Sequence, residues 1–381
     1  MSIYLDNAAT SFPKPESVYQ AVDNYQRNIG VNPGRGSYRR AEQAQEIIVE
    51  TRKLLSQLFN IETPARIVFT ANVTEALNLT LKGLLQEGDH VITSQLEHNA
   101  MWRPLKRLER ERNIDLTAIP CLEGSYLDVD QIEKAICPET KLVALNHASN
   151  VTGAILPIKE VGDICRQHQI PLLVDTAQTA GVYPIDVQRL NIDLLAFTGH
   201  KGLLGPTGTG GLYINSDIEL QPLKEGGTGG DSLLERQPDY LPNRFEAGTH
   251  NIVGIAGLRA AVKFILEESI TNIRAHEQEL TSYMLDYLQQ IPGLKIYGPA
   301  EPERQVAVIS FNLEEIPPEE AAYVLDEVYE IMVRAGLHCA PPAHRCIGTV
   351  NRGTVRISFN YFNTKEDCQQ LYEALCDLSN C

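Results

Sequence analysis

Residues 194–208 read LLAFTGHKGLLGPTG, an apolar run that leads directly into a lysine and then into a glycine-rich stretch. The run LLAF is continuously apolar, which is typical of a strand buried on both faces of a parallel sheet. An ammonium group at the end of such a strand is costly unless it is paired or deprotonated. Lys201 therefore either reaches solvent, as most lysines do, or is a desolvated amine able to form a Schiff base with a carbonyl.

Further apolar runs bounded by turn residues lie on both sides of this one, at 66–70, 90–95, 116–121, 141–149, 171–178 and 210–215. Stretches with helical periodicity alternate with them, at 40–60, 73–85, 99–112 and 158–169. This order predicts an α/β fold whose large domain holds a mostly parallel seven-stranded sheet sandwiched by helices. Beyond about residue 270 the pattern changes to a smaller α+β unit. We expect a large domain over 15–258 and a small C-terminal domain over 259–381, with the N-terminal segment 1–14 packed against the small one.

Composition and charge argue against several classes of protein. The 381 residues carry a net charge of −16 and contain no basic run, so a nucleic-acid-binding surface is not expected. No run approaches the roughly 18 apolar residues of a membrane span, and the start, MSIYLDNAAT, lacks the regions of a signal peptide. The eight cysteines include no C-x-x-C pair and no zinc spacing. We therefore expect a cytoplasmic protein with reduced thiols and without a metal site.

Polar side chains end several of the apolar runs, at the sheet edge where ligands bind in open α/β folds. Asp175 follows LLV, and a buried carboxylate there needs a cation such as the protonated pyridine nitrogen of pyridoxal phosphate. An aspartate that caps a following turn is the alternative. Thr74 precedes a helical pattern, so it either caps that helix or lies at an N-terminus that binds a phosphate. No P-loop or G-x-G-x-x-G helix start supports a nucleotide site.

Eight segments extend this set of residues along nearly the whole chain. They are YLDNAAT (4–10), TANVTEALNL (70–79), LEHNA (96–100), NHASNVTGAILPI (146–158), VDTAQTAG (174–181), TGHKGLLGPTGTGGLY (198–213), RFEAGTHN (244–251) and RAGLHCAPPAH (334–344). Together and in this order they resemble cysteine desulfurases, pyridoxal-phosphate enzymes of fold type I in the class V aminotransferase group. The last segment resembles the Suf-type members in particular.

The resemblance implies that the cofactor is pyridoxal 5′-phosphate and assigns residues to its ring. Lys201 would form the Schiff base with the cofactor's aldehyde. His98 would stack on the pyridine face and help to move protons. Asp175 would pair with the pyridinium nitrogen, and Gln178 would bond the oxygen of the ring hydroxyl.

The resemblance also assigns residues to the phosphate group of the cofactor. This group would be held by Thr74, the backbone at Val73, Thr198 and His200. Val73 stands where many members of that family have a hydroxyl residue. Thr249 would reach the phosphate of the other subunit, which implies a homodimer.

For the substrate L-cysteine, the resemblance implies that Asn150 and Arg356 grip the carboxylate, a role that suits the planar fork of arginine. Cys339 would be the nucleophile that takes the sulfur as a persulfide and passes it to an acceptor, which we expect to be a protein. Because this chemistry needs a thiolate, His338 or Arg334 would lower the pKa of Cys339. The alternative is a buried core cysteine, but the position before a Pro-Pro turn favours a loop.

The expected function is therefore a cysteine desulfurase that converts L-cysteine to L-alanine for iron–sulfur cluster assembly or related sulfur trafficking. A selenocysteine lyase, a cystine C–S lyase and an aminotransferase on the same scaffold are alternatives. A non-catalytic scaffold would have lost Lys201 or Asp175, and both are present. Cys346 lies seven residues after Cys339 and could form a disulfide with it, take over its sulfur or be inert.

Overall fold

The structure is a computed structural model that describes residues 2–33, 36–122, 125–216, 218–230 and 233–379. Cys381 lies outside the described residues. In chain order the strands are β1 (Ile3–Tyr4), β2 (Ile67–Thr70), β3 (His90–Ser94), β4 (Asp115–Ile119), β5 (Thr140–Asn146), β6 (Leu172–Asp175), β7 (Leu194–Thr198), β8 (Gly210–Ile214), β9 (Leu294–Tyr297), β10 (Val308–Leu313), β11 (Ile331–Met332), β12 (Arg334–Gly336) and β13 (Thr354–Ser358). The α-helices are α1 (Glu16–Asn24), α2 (Arg39–Phe59), α3 (Val73–Leu84), α4 (Asn99–Glu111), α5 (Val129–Ala135), α6 (Ile158–His168), α7 (Ile252–Glu268), α8 (Ile270–Leu288), α9 (Pro318–Tyr329), α10 (Pro341–Cys346) and α11 (Lys365–Ser379).

A seven-stranded sheet in the order β2-β8-β7-β6-β5-β3-β4 forms the centre of the molecule. Strands β4, β3, β5, β6 and β7 run parallel to one another, whereas β8 pairs antiparallel with both β7 and β2. Every residue of β3, β6, β7 and β8 is buried. Burial on both faces explains why most residues of β6, β7 and β8 are apolar. The predicted mostly parallel seven-stranded sheet is confirmed.

Helices cover both faces of this sheet. On one face, side chains of α3 and α4 pack against Leu173 and Leu194. On the other face, side chains of α2, α6 and α7 pack against Val174 and Leu195, the next residues of the same two strands. Alternate residues of one strand thus enter opposite cores, and this is the predicted helix–sheet–helix sandwich.

A four-stranded antiparallel sheet, β12-β13-β10-β9, forms the C-terminal part of the chain. Its core includes side chains of α8, α9 and α11. The N-terminus joins this unit, because β1 pairs in parallel with β11 and Leu5 is buried in the same core. The division at 258 and 259 stays a prediction, and α7 runs across it. Within the described ranges, no helix combines the length and the apolar character that crossing a membrane would require.

Candidate active site

The carboxyl ends of β5, β6 and β7 open into a cavity of about 320 Å³, and residues of the C-terminal unit also line it. The strand register places Asn146 beside Asp175, and Asp175 beside Ala196. The predicted site residues that line this cavity are Val73, Thr74, His98, Asn150, Asp175, Gln178, Thr198, His200, Lys201, Cys339 and Arg356. Residues that are remote in the chain are therefore brought together at one sheet edge.

Lys201 lies in the loop after β7, and its partly buried side chain lines the cavity. Burial lowers the pKa of Lys201 to about 8, an effect that Asp175 opposes and that Arg356 and Arg334 add to. Glycines are needed here because the loop packs directly on a neighbouring backbone. A Cβ on Gly202 would come within 2.7 Å of the carbonyl oxygen of Ala180, and one on Gly181, whose φ is +91°, within 2.3 Å of the carbonyl oxygen of Gly202.

Asp175 is buried at the end of β6, and one of its carboxylate oxygens accepts a hydrogen bond of 2.9 Å from the Ala177 N–H. Burial raises the pKa of Asp175, while the Ala177 N–H and Lys201 oppose this effect. Among the described residues, no cationic side chain forms an ion pair with this carboxylate within 4 Å. A protonated ring nitrogen placed in the cavity would supply the missing partner.

His98 is the N-cap residue of α4, and its Nδ1 accepts a hydrogen bond of 3.0 Å from the Ala100 N–H. This bond assigns the neutral tautomer that carries its proton on Nε2. Burial, together with the charge of Lys201, lowers the pKa of His98 to about 4. The histidine is therefore uncharged at neutral pH.

The helix N-terminus predicted near Thr74 belongs to α3, but its N-cap residue is Asn72, whose side chain accepts from the Glu75 N–H at 3.0 Å. Reading Thr74 as the N-cap is thus wrong. Val73 and Thr74 occupy the first helical turn, where backbone N–H groups lack intrahelical acceptors. Within the described part of the chain, the buried Nδ1 of His200 has no hydrogen-bond partner. Free donors and a positive helix end suit an anionic group here.

Arg356 is almost completely buried and is held from two sides. One of its Nη atoms lies 2.6 Å from an Asp6 carboxylate oxygen, and the other donates to the Asn150 carbonyl oxygen at 3.0 Å. The Asn150 side chain donates to the His338 carbonyl oxygen at 2.7 Å. As far as the structure describes the chain, Arg356 Nε and Asn150 Oδ1 are buried without partners. The sequence analysis did not identify Asp6, which no motif marks as a partner of a residue 350 positions away.

Cys339 is exposed in the loop between β12 and α10, as its place before the Pro-Pro turn predicts. The φ angles of His338 and Cys339 are 46° and 57°, a left-handed conformation that is unfavourable for both side chains. The Cys339 carbonyl oxygen accepts from the Asn99 N–H at 2.8 Å, which ties this loop to the residue after His98. The strained loop thus presents the thiol at the cavity.

The sequence analysis expected that a charge on His338 could lower the pKa of Cys339. The structure contradicts this expectation. Its Nε2 lies 2.9 Å from Thr354 Oγ1 in a buried position, and burial lowers the pKa of His338 to about 2. The imidazole is neutral and supplies no positive charge. Arg334 lines the same cavity as Cys339.

Thr249 does not line this cavity but a separate one of about 190 Å³ beside β2. Its loop is anchored by Glu246, which accepts a bidentate pair of hydrogen bonds from the buried Arg52 at 2.7 and 2.5 Å. Glu246 also accepts from the Phe69 N–H at 2.6 Å. Thr249 therefore does not join Lys201 within one chain, and its role toward a second subunit stays a prediction.

Glu97 is a buried acid within the LEHNA segment, and the sequence analysis assigned it no role. One of its carboxylate oxygens accepts from Ser94 Oγ at 2.7 Å and from the Asn146 N–H at 3.0 Å. For the other oxygen, Oε2, the described residues provide no partner. Burial raises the pKa of Glu97 to about 8, and Asp175 adds to this effect. Total burial is a tertiary property that the sequence pattern does not report.

The Glu97→Gln variant should change how the stability of the cofactor-free protein depends on pH. The pKa of Glu97 rises from 4.5 to about 8 on folding. The contribution of the protonated carboxyl to the free energy of unfolding is therefore complete below pH 4.5 and is lost as the pH rises to about 8. Glutamine does not titrate, so over this window the free energy of unfolding should fall less steeply in the variant than in the wild type, with a difference in slope of up to about 1.4 kcal/mol per pH unit. Urea unfolding at several pH values measures this difference. The exposed control Glu62→Gln should follow the wild type, and equal slopes for Glu97→Gln and wild type would contradict the assignment.

Comparisons with known proteins agree with this geometry. The family model for class V aminotransferases matches residues 3–371. A probable cysteine desulfurase of Methanothermobacter thermautotrophicus is 37% identical, over 99% of this chain and 94% of that protein. The apo structure of a cysteine desulfurase from Thermococcus onnurineus superposes with a TM-score of 0.94 at 35% identity, covering 100% of this chain and 95% of that one. An Escherichia coli cysteine desulfurase in its S-sulfonic acid form gives 0.89 at 30% identity, over 99% and 95% of the two chains. The chain therefore belongs to the class V aminotransferase family.

Proposed function

We propose that this protein is a pyridoxal-phosphate-dependent cysteine desulfurase that converts L-cysteine to L-alanine and retains the sulfur on Cys339 as a persulfide. One observation carries the proposal. A single cavity brings together the buried amine of Lys201, the buried carboxylate of Asp175 and the exposed thiol of Cys339. The relatives named cysteine desulfurase support the same activity.

The residues present fit pyridoxal phosphate. Asp175 lacks a cation, the first turn of α3 offers free N–H groups, and the buried Nδ1 of His200 lacks a partner within the described ranges. We assign Asp175 and Gln178 to the ring, His98 to its face, and Val73, Thr74, Thr198 and His200 to the phosphate. When bound, the cofactor supplies an aldehyde and a ring that stabilises negative charge at the substrate α-carbon.

The chain's own residues then bind the substrate and move its protons. Arg356 and Asn150 bind the carboxylate of L-cysteine, and Asp6 holds the guanidinium in place. Lys201 Nζ accepts the α-proton and returns it, because a pKa near 8 leaves part of the amine neutral at physiological pH. His98, neutral and protonated at Nε2, keeps its ring available for stacking.

Cys339 completes the reaction as the nucleophile. Its thiolate forms a bond to the substrate sulfur while the bond between that sulfur and the β-carbon breaks, and a proton goes to the β-carbon. The balance is L-cysteine plus the Cys339 thiol giving L-alanine plus the Cys339 persulfide. An acceptor thiol, which we place on a protein, then takes the outer sulfur for iron–sulfur cluster assembly or a related pathway. We place this reaction in the cytoplasm.

We further propose that two copies of the chain form a homodimer in which Thr249 contributes to the partner's phosphate site. The segment preceding Thr249 supports this arrangement, since the side chains of Leu233, Leu234 and Tyr240 are 97%, 52% and 51% exposed. Exposed apolar side chains of this size commonly mark an interface.

Incubation with L-cysteine tests the function directly. The protein loaded with pyridoxal phosphate should form one L-alanine for each protein-bound persulfide in the first turnover, because both products come from one bond cleavage. Amino-acid analysis and mass spectrometry of the peptide containing Cys339 measure the two together. Pyruvate and ammonia without a persulfide would indicate a C–S lyase, and turnover restricted to selenocysteine would indicate a lyase for that substrate.

A further inference from the structure

A second cavity, of about 380 Å³, is lined by side chains of α3 and α4 and reaches Cys339. We call it the α3–α4 groove. Thr74, His98 and Cys339 line both this groove and the active-site cavity, so the two cavities meet at the exposed thiol. The proposed conversion of L-cysteine uses the active-site cavity and leaves the groove without a role.

Helical spacing determines which side chains of the two helices line the groove. On α3 they are Thr74, Asn78 and Lys82, which follow one another at intervals of four residues and form one stripe. On α4 they include Arg103 and Arg107, again four residues apart. From Thr74 to Lys82 the helix rises about 12 Å, the length of an extended peptide of about four residues. The groove therefore has the dimensions of a peptide site.

The groove is positively charged, although the protein carries a net charge of −16. Lys82, Arg103 and Arg107 line it, and no carboxylate does within the part of the chain that the structure describes. Arg107 bonds to Glu111 at 2.7 Å, whereas neither Lys82 nor Arg103 forms an ion pair with a carboxylate of the described residues. Arg103 is exposed and Lys82 is half-buried. Two cations are thus available to an anionic ligand that enters beside Cys339.

We propose that the α3–α4 groove is the docking site for an acidic segment of a sulfur-acceptor protein, and that it directs the thiol of this protein to Cys339. The proposal rests on the proposed function, because it concerns the partner that takes the sulfur from the Cys339 persulfide. Carboxylates of the segment pair with Lys82 and Arg103, and the acceptor thiol lies at the Cys339 end.

Sulfur transfer at this end needs no further reactant. The acceptor thiolate bonds to the outer sulfur of the persulfide, the bond between the two sulfurs breaks, and Cys339 leaves as a thiolate. Because the groove follows two turns of α3, it fits a chain of carboxylates better than a small thiol such as L-cysteine. The excess negative charge of the protein repels an acidic segment elsewhere, so the local cations select both the partner and the place where it binds.

A synthetic peptide tests the groove without relying on the desulfurase reaction. It consists of four glutamates, a glycine and a cysteine whose sulfur is activated as a mixed disulfide with 2-nitro-5-thiobenzoate. In the protein loaded with pyridoxal phosphate, the Cys339 thiolate attacks the peptide sulfur, and the nitrothiobenzoate that leaves is measured by its absorbance. Mass spectrometry locates the peptide on Cys339, and the Cys339→Ser protein gives the background rate.

At low salt we expect the acidic peptide to react about tenfold faster than a peptide with glutamine in place of each glutamate. The difference should disappear in 1 M NaCl, where the Debye length is about 3 Å. The double variant Lys82→Glu/Arg103→Glu should lose the preference for the acidic peptide, and Lys82→Gln/Arg103→Gln should reduce it. Arg110→Glu is the matched control, because Arg110 is exposed on the same helix and does not line the groove.

Equal rates for the acidic and neutral peptides with the wild type, or a preference that survives in Lys82→Glu/Arg103→Glu, would overturn the proposal. A change of oligomeric state in this variant, measured by size-exclusion chromatography, would also overturn it, because a second copy of the chain would then occupy the groove. Circular dichroism confirms that the variants fold. Failure of the proposed function would appear separately, as absence of alanine from L-cysteine.

Discussion

The Lys201→Ala variant is expected to lose the visible absorbance of the bound cofactor and to form alanine at least about a thousandfold more slowly. The physical reason is the environment of the amine. Burial lowers the pKa of Lys201 to about 8, so a neutral and nucleophilic amine is available beside Asp175. Alanine removes both the covalent anchor for an aldehyde and the group that carries the α-proton.

Absorbance spectra and alanine formation of the purified, cofactor-supplemented variant measure this loss. Lys14 provides a matched control, because burial lowers its pKa to about 8 as well, yet its Nζ bonds to Ser11 outside the cavity. Lys14→Ala should keep its visible absorbance. Colour that survives in Lys201→Ala would refute the cofactor assignment, and with it the proposed function.

The Cys339→Ser variant should keep its visible absorbance but release sulfide from L-cysteine at least about a hundredfold more slowly. Serine preserves the size of the side chain and the loop geometry, while its hydroxyl is a far weaker nucleophile toward sulfur than a thiolate. Cofactor binding depends on Lys201 and Asp175, which the substitution leaves in place. The effect therefore separates cofactor binding from sulfur transfer.

Sulfide and alanine release, measured with the visible spectrum, report these two properties. Cys137→Ser is the control, since Cys137 is half-buried beside His90 and away from the cavity. Unchanged sulfide release in Cys339→Ser would shift the function to a C–S lyase, in which no protein thiol receives the sulfur.

Much of the fold follows from local pattern. The apolar runs at 171–178 and 194–200 contain β6 and β7, and the helical stretch 158–169 contains α6 within one residue of its ends. Buried parallel strands have to be apolar throughout, and amphipathic helices have to repeat every 3.6 residues, so both leave a periodic record. The ends of parallel strands share one edge, which is why residues after separate strands could be expected at one site.

Contacts between distant segments leave no such record. The pairing of Arg356 with Asp6 and the anchoring of the 246–250 loop by Arg52 join residues far apart in sequence. Their charges look ordinary until the chain folds. Sequence motifs therefore identified the residues that carry the chemistry more reliably than the residues that keep those side chains in position.

By itself, the sequence determined the mostly parallel sheet, the glycine loop around Lys201 and the exposed position of Cys339 before two prolines. The tertiary structure alone decided which groups are charged, since burial keeps His338 and His98 neutral and raises the pKa of Glu97. The reason is that desolvation depends on what surrounds a group in three dimensions, and neighbours along the chain make up only a small part of those surroundings.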